Sequence, residues 1–273
     1  MIIDERHQIA FVHIPKCAGT TVRGLLQEFD RNEGAFSDKV APHPELGLID
    51  YVHIPLFILD KHFPKEFESV KSFWSFAVVR DPYSRFASSV AQRIKMYSGR
   101  SLRAMNRSDL KKEIDCCINF LEANGGHGKL LPPSFIHFQR QCDFLFLNSE
   151  LIVKNVYPAN DVKSLIEVLR SKIAFEDQRV DQVVDYKLNE SFSYRNDFLR
   201  IVFSKLLPLY IKFSRFLPGK LVKRVKAFVY VSNAERMHDA FYDKKVIDFI
   251  NKSPIKLITS FMHRISASSI FIK

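Results

Sequence analysis

Two short stretches hold residues able to grip a phosphate-bearing ligand. Lys16-Cys17-Ala18-Gly19-Thr20-Thr21 lies between the apolar run Ile9 to Ile14 and the helically spaced apolar residues of Val22 to Phe29. A loop between a strand and a helix offers free backbone N–H groups, and the helix dipole favours negative charge there. Gly19 allows close backbone approach. Thr20 and Thr21 add hydroxyl donors, and either is placed to cap the helix. Lys16 adds a mobile positive charge. The spacing is not that of the triphosphate loop G-x-x-x-x-G-K-[ST], because the first glycine is missing and the lysine precedes Gly19. The plain alternative is a tight strand–helix turn with a surface lysine.

The second stretch follows the apolar run Phe73 to Val79. Arg80 then stands at the carboxyl end of a buried strand, the edge where open α/β sheets bind ligands. A guanidinium there makes a charge-assisted contact to phosphate. Ser88 lies eight residues on, along the helix that Pro82 opens, and supplies a hydroxyl. Asp81 and Arg85 read more simply as a structural ion pair.

Strands must place both stretches at one edge. Ile9–Ile14 and Phe73–Val79 read as buried strands. Helices are expected over Val22–Phe29, Pro82–Met96, 108–123, 159–172 and 233–251, with a short helix at Pro55–His62. Ile49–Ile54 is a short strand or the approach to that helix. Residues 31–50 read as loop, as does Gly125–Gly128, and Phe144–Leu147 and Leu151–Val153 as short strands. Strands followed by helices predict an α/β chain with a central parallel sheet flanked by helices. The reading is one domain over 1–273 with a helical C-terminal extension.

Charge limits the partners. There are 41 basic and 30 acidic residues, a net +11, which favours anionic ligands or surfaces. The stretch 190–230 holds nine basic and two acidic residues, +7 of that total, among many apolar ones. It reads as a basic amphipathic helical insertion, either packed on the core or lying on an anionic membrane. Arg93, Lys95, Arg100, Arg103 and Arg107 form a second basic cluster, placed to meet an acidic acceptor or only solvent. Four cysteines without a C-x-x-C pair exclude a disulfide scaffold or zinc ribbon. No uncharged apolar run approaches the ~18 residues of a membrane span. The charged first residues do not resemble a signal peptide. The expected location is the cytoplasm, with peripheral contact at the inner membrane face.

Together the two stretches are more specific than either alone. Phe11 to Thr21 resembles the 5′-phosphosulfate loop of carbohydrate sulfotransferases, most closely the group of heparan sulfate 2-O- and 6-O-sulfotransferases and their bacterial relatives. Phe76 to Ser89 resembles the same family's 3′-phosphate segment. The clear resemblance covers about the first 95 residues. It implies a three-layer fold related to nucleotide kinases, no metal, and transfer of a sulfuryl group from 3′-phosphoadenosine 5′-phosphosulfate to a hydroxyl of a glycan or glycolipid. Lys16, Cys17, Ala18, Gly19, Thr20 and Thr21 would hold the 5′-phosphosulfate, and Arg80 and Ser88 the 3′-phosphate. Lys16 would also stabilise charge on the leaving group.

The reaction needs a base for the acceptor hydroxyl, and histidine suits it. His53 lies between the two motifs, where relatives in the 2-O group carry a similar histidine- and phenylalanine-containing stretch. His62, His127 and His137 are runners-up, and His13 is read as loop-shaping. Cys17 is read as a small loop residue, not a nucleophile. Relatives' acidic residue near 151–155 is replaced here by Lys154 or Asn155, and Gln139 or Gln141 matches a glutamine common among them. Two other classes compete: a small-molecule kinase, and a basic polyanion-binding protein without catalysis. No nucleic-acid recognition motif stands out.

Overall fold

The computed structural model describes residues 1–30, 36, 40–99, 105–173, 192–194, 228–232 and 240–252. Its centre is a four-stranded sheet. In spatial order the strands are β1 (Ile2–Asp4), β2 (Ile9–Val12), β5 (Trp74–Val79) and β8 (Asn155–Pro158). β1 is an antiparallel edge, while β2, β5 and β8 run parallel. β2 pairs with β5 from Ile9↔Trp74 to Val12↔Ala77, so both strands end side by side. Their residues are almost all buried, as expected of central strands covered on both faces. Phe11 stacks on Phe76 at 5.1 Å within that core.

Helices flank this sheet, an α/β architecture as expected. α1 (Gly19–Leu26) follows β2, and α4 (Pro82–Tyr97) follows β5. α2 (Leu56–His62) and α3 (Pro64–Ser72) precede β5, and α6 (Val162–Lys172) follows β8. A second apolar cluster joins α4, α5 (Arg107–Asn124) and α7 (Lys244–Lys252) through Phe86, Ile94, Ile118 and Phe138.

The structure corrects several expectations. The span 31–50, read as loop, includes the hairpin β3 (Ala41–His43) and β4 (Gly47–Ile49), whose short strands carry no apolar alternation. Tyr51–His53 is a 3₁₀ turn, capped by Asp50. α1 starts earlier than its apolar spacing suggested. Its N-cap is Ala18, so Thr20 and Thr21 lie inside the helix and cap nothing. Asp81 and Arg85 do not pair. Asp81 caps α4 by accepting from the Ser84 amide at 2.9 Å, and Arg85 is buried on carbonyls. The short strands β6 (Phe146–Leu147) and β7 (Glu150–Leu151) form a hairpin. At the two ends of the stretch expected as a helical insertion, β9 (Phe192–Tyr194) pairs antiparallel with β10 (Tyr230–Ser232), and Phe228 and Val229 are helical. Residues 195–227 lie outside the described residues, as do Arg100 and Arg103.

Candidate active site

The loop after β2 and the strand end after β5 lie on neighbouring parallel strands, at their carboxyl ends. The loop backbone turns sharply. Lys16 and Ala18 both have left-handed dihedrals, with φ of 65° and 57°. Non-glycine residues there cost roughly 1–3 kcal/mol each and persist only where neighbours hold them. The neighbours are identifiable. Arg85 Nε donates to the Pro15 carbonyl at 3.0 Å, and its Nη2 donates to the carbonyls of His137 and Gln139 at 3.0 and 2.7 Å. Arg80 Nη1 lies 3.5 Å from the Lys16 carbonyl. Burial pushes the Arg85 guanidinium below its ordinary value. It is a staple under the loop rather than a ligand contact.

Gly19 has a sharper reason than ligand approach. A Cβ built on it would stand 1.8 Å from His13 Nε2. The His13 ring therefore lies against the first residue of α1, and only glycine fits beneath it. The loop's other residues divide by exposure. Thr20 is exposed, while Thr21 and the Cys17 side chain are buried. The Cys17 thiol lies 3.2 Å from Gln141 Oε1, and burial pushes it up to about 11. Only the backbone of Cys17 can reach a ligand. The Ala18 carbonyl accepts from the Thr21 amide at 3.1 Å, and no side chain caps α1. The amides of Gly19 and Thr20 are first-turn donors with no partner inside the helix.

Two cations face one another here. Lys16 Nζ donates to Gln92 Oε1 at 3.2 Å, and Arg80 Nε donates to Ser84 Oγ at 3.1 Å. Among the described residues neither meets a carboxylate. Burial first, then the positive charges of Arg80 and Lys95, push the Lys16 ammonium down to about 8. Ser84, Ser88 and Gln92 recur every fourth residue along α4 and so share one face. Ser88 thus sits between the residue that holds Arg80 and the residue that holds Lys16. Its hydroxyl bonds to nothing among the described residues. The sequence motifs did not single out Gln92; the four-residue spacing from Ser84 and Ser88 was its available signal. Ser89, the neighbour, is fully buried and donates to backbone carbonyls of Arg85 and His137.

His53 is buried beside this loop. Its Nδ1 lies 3.1 Å from the His13 carbonyl oxygen. A carbonyl only accepts, so Nδ1 carries the proton and Nε2 the lone pair. Its ring packs edge-on to His13 at 4.5 Å and to His137 at 5.7 Å. Burial, then the neighbouring His137, holds the imidazole well below its usual value, so it is neutral near pH 7. A neutral imidazole with a free Nε2 lone pair is the form a general base needs. The runners-up scatter: His137 lies in this cluster, His62 faces His43 and Glu45, and His127 is exposed. Asn155 donates to the Ser75 carbonyl and ties β8 to β5. Arg93 of the second basic cluster pairs with Glu113 at 2.7 Å and lies over the Phe135 ring. It is a packing residue.

At the strand ends of this largely parallel sheet, Lys16, Arg80 and the start of α1, which no side chain caps, make an arrangement suited to an anion. The family model described as the sulfotransferase family matches residues 1–141, just over half of the chain, and the chain belongs to that family. Membership implies 3′-phosphoadenosine 5′-phosphosulfate as the sulfuryl donor. No curated protein and no solved structure matches the chain.

Proposed function

We propose that this protein transfers a sulfuryl group from 3′-phosphoadenosine 5′-phosphosulfate to a hydroxyl of a carbohydrate, on a polysaccharide or a lipid-linked glycan. The observation that carries the reading is the pair of cations, Lys16 and Arg80, which converge at neighbouring strand ends with no acidic partner among the described residues. Such charges are costly to bury alone and are neutralised by a bound anion. A donor that carries phosphate at both its 3′ and 5′ positions brings the negative charge that two neighbouring cations require.

The residues fit that donor. Lys16 and the amides of Gly19 and Thr20 hold the phosphosulfate end, where charge builds as the sulfuryl group leaves. Arg80 and the Ser88 hydroxyl hold the 3′-phosphate. When bound, the donor supplies the sulfuryl group and a bisphosphate leaving group. His53 Nε2 takes the acceptor's proton, and the His13 carbonyl keeps the ring in that tautomer. Positioning and electrostatics then supply most of the rate.

The basic surface supports an acidic acceptor or peripheral contact with an anionic membrane at the cytoplasmic face. No described helix is long and apolar enough to cross a membrane. The test is transfer itself. The protein is incubated with the donor and a panel of polysaccharides and glycolipids, and sulfated product is read by mass. Sulfation of a sugar hydroxyl, slowed by about 10- to 100-fold in Arg80→Ala when the donor is below saturation, is expected. Transfer only to non-carbohydrate hydroxyls would overturn the acceptor assignment, and phosphoryl transfer from ATP would overturn the reaction.

A further inference from the structure

Arg80 stands one residue past the end of β5, where the sheet no longer satisfies its backbone. The last ladder-like bond on that side is donated by the Ala159 amide to the Val79 carbonyl, at 2.8 Å. Buried backbone groups beyond it need partners. A side-chain amide provides both. Gln141 Oε1 accepts from the Arg80 amide at 2.9 Å, and Gln141 Nε2 donates to the Arg80 carbonyl at 2.8 Å. The glutamine thus pairs with Arg80 as one more strand residue would. This fixes the arginine's backbone, and with it the direction in which the guanidinium leaves the strand.

The same oxygen reaches the other arm of the site. Gln141 Oε1 also accepts from the Cys17 thiol at 3.2 Å, one residue beyond Lys16. Both lone pairs of that oxygen are then used. Gln141 itself is 3% exposed and opens a 3₁₀ turn held by Asp143, which accepts from Gln139 at 2.6 Å and Arg140 at 2.7 Å. The anchor is therefore rigid, and it lies 61 residues from Arg80 and 124 from Cys17 in sequence.

We propose that Gln141 is a positioning residue that keys Arg80 to the Lys16 loop, so that recognition of the 3′-phosphate depends on a side chain buried behind both. This rests on the donor reading above. Without Gln141, Arg80 keeps its Ser84 contact but loses the backbone anchor that aims it across from Lys16. The loop keeps its tie at Pro15, whose carbonyl still accepts from Arg85 Nε. The loss should therefore fall on the 3′-phosphate more than on the 5′ end.

Gln141→Met keeps the length and removes all three bonds. Calorimetry with 3′-phosphoadenosine 5′-phosphate and with adenosine 5′-monophosphate is run on wild type, Gln141→Met, Arg80→Ala and the double variant, with folding checked by thermal melts. The bisphosphate should weaken by about 10- to 100-fold in Gln141→Met, the range expected when a hydrogen bond to a charged group is lost. The monophosphate should weaken by less than about 3-fold. In the Arg80→Ala background, Gln141→Met should add less than about 3-fold, because the two residues act as one unit. Equal loss for both nucleotides, or a full additional loss in the Arg80→Ala background, would overturn the proposal and leave the donor reading standing. A folded wild type with no preference for the bisphosphate would overturn the donor reading and the proposal with it. Should Gln141→Met fail to fold, Gln141→Asn carries the same comparison, because it stays uncharged and is one methylene too short to span the three bonds.

Discussion

Lys16 and His53 are tuned in the same direction by burial, with different consequences. The Lys16 ammonium sits at about 8, so it is charged at pH 7 and loses its proton as pH rises past 8. An anion binds the charged form. Bisphosphate affinity should be level up to about pH 7, fall about twofold by pH 8, and then fall by up to about tenfold per further pH unit. Calorimetry across pH 7 to 10 reads this directly, and Lys16→Arg, which does not titrate there, should flatten the curve. His53 is held well below 6.5 and is already neutral at pH 7. Its protonation should therefore not limit turnover until the pH is well under 6.5. His53→Asn can still donate to the His13 carbonyl but offers no basic nitrogen. It should lower kcat by about 10²- to 10⁴-fold while donor affinity stays within about threefold. A fall in donor affinity with kcat preserved would make His53 a scaffold residue.

The loop and its helix show what local sequence conveys and what it does not. The β2–loop–α1 and β5–α4 units were legible because apolar runs, Pro82 and the small-residue loop are local signals. Apolar spacing placed the start of α1 at Val22, three residues late, because the Gly19-Thr20-Thr21 turn is helical without apolar periodicity. The strand β8 went unread: it is short, ends in Pro158 and is only partly buried, so neither alternation nor an apolar run marks it. The reason for Gly19 was also invisible, because the His13 ring reaches it only through the fold. Gly19→Ala should destabilise the protein by about 1–3 kcal/mol or more, the cost of overpacking a filled site. His13→Ala in the same chain should recover a large part of that loss. Thermal or denaturant melts of the single and double variants decide it, and strict additivity would mean the ring is not what Gly19 accommodates.

Across the molecule, residues far apart in sequence converge on one edge of the sheet. Arg85 and Gln141 support the two arms from behind, while His13, His53 and His137 form one buried cluster beside the loop. Long-range contacts of this kind leave no local signature, so the motifs were readable and their supports were not. The cluster also sets an acid limit on stability. His13 and His53 remain neutral in the folded state, whereas in the unfolded chain they protonate near 6.5. The unfolded state then binds more protons below 6.5, and stability is full above that value and falls as pH drops through it. The slope should reach about 1.4 kcal/mol per pH unit for each of the two histidines. Denaturant melts between pH 7.5 and 5 check it, and His53→Asn should flatten the slope by about half.

On the proposed reading, Lys16 and Arg80 together bind a nucleotide bearing phosphates at both its 3′ and 5′ positions. Calorimetry with 3′-phosphoadenosine 5′-phosphate, beside ATP with Mg²⁺, on wild type and Arg80→Ala tests it most directly. The bisphosphate should bind tightly, about 10- to 100-fold more weakly in Arg80→Ala, and ATP with Mg²⁺ should bind less well than the bisphosphate. Preference for ATP with Mg²⁺, or bisphosphate binding indifferent to Arg80, would contradict it.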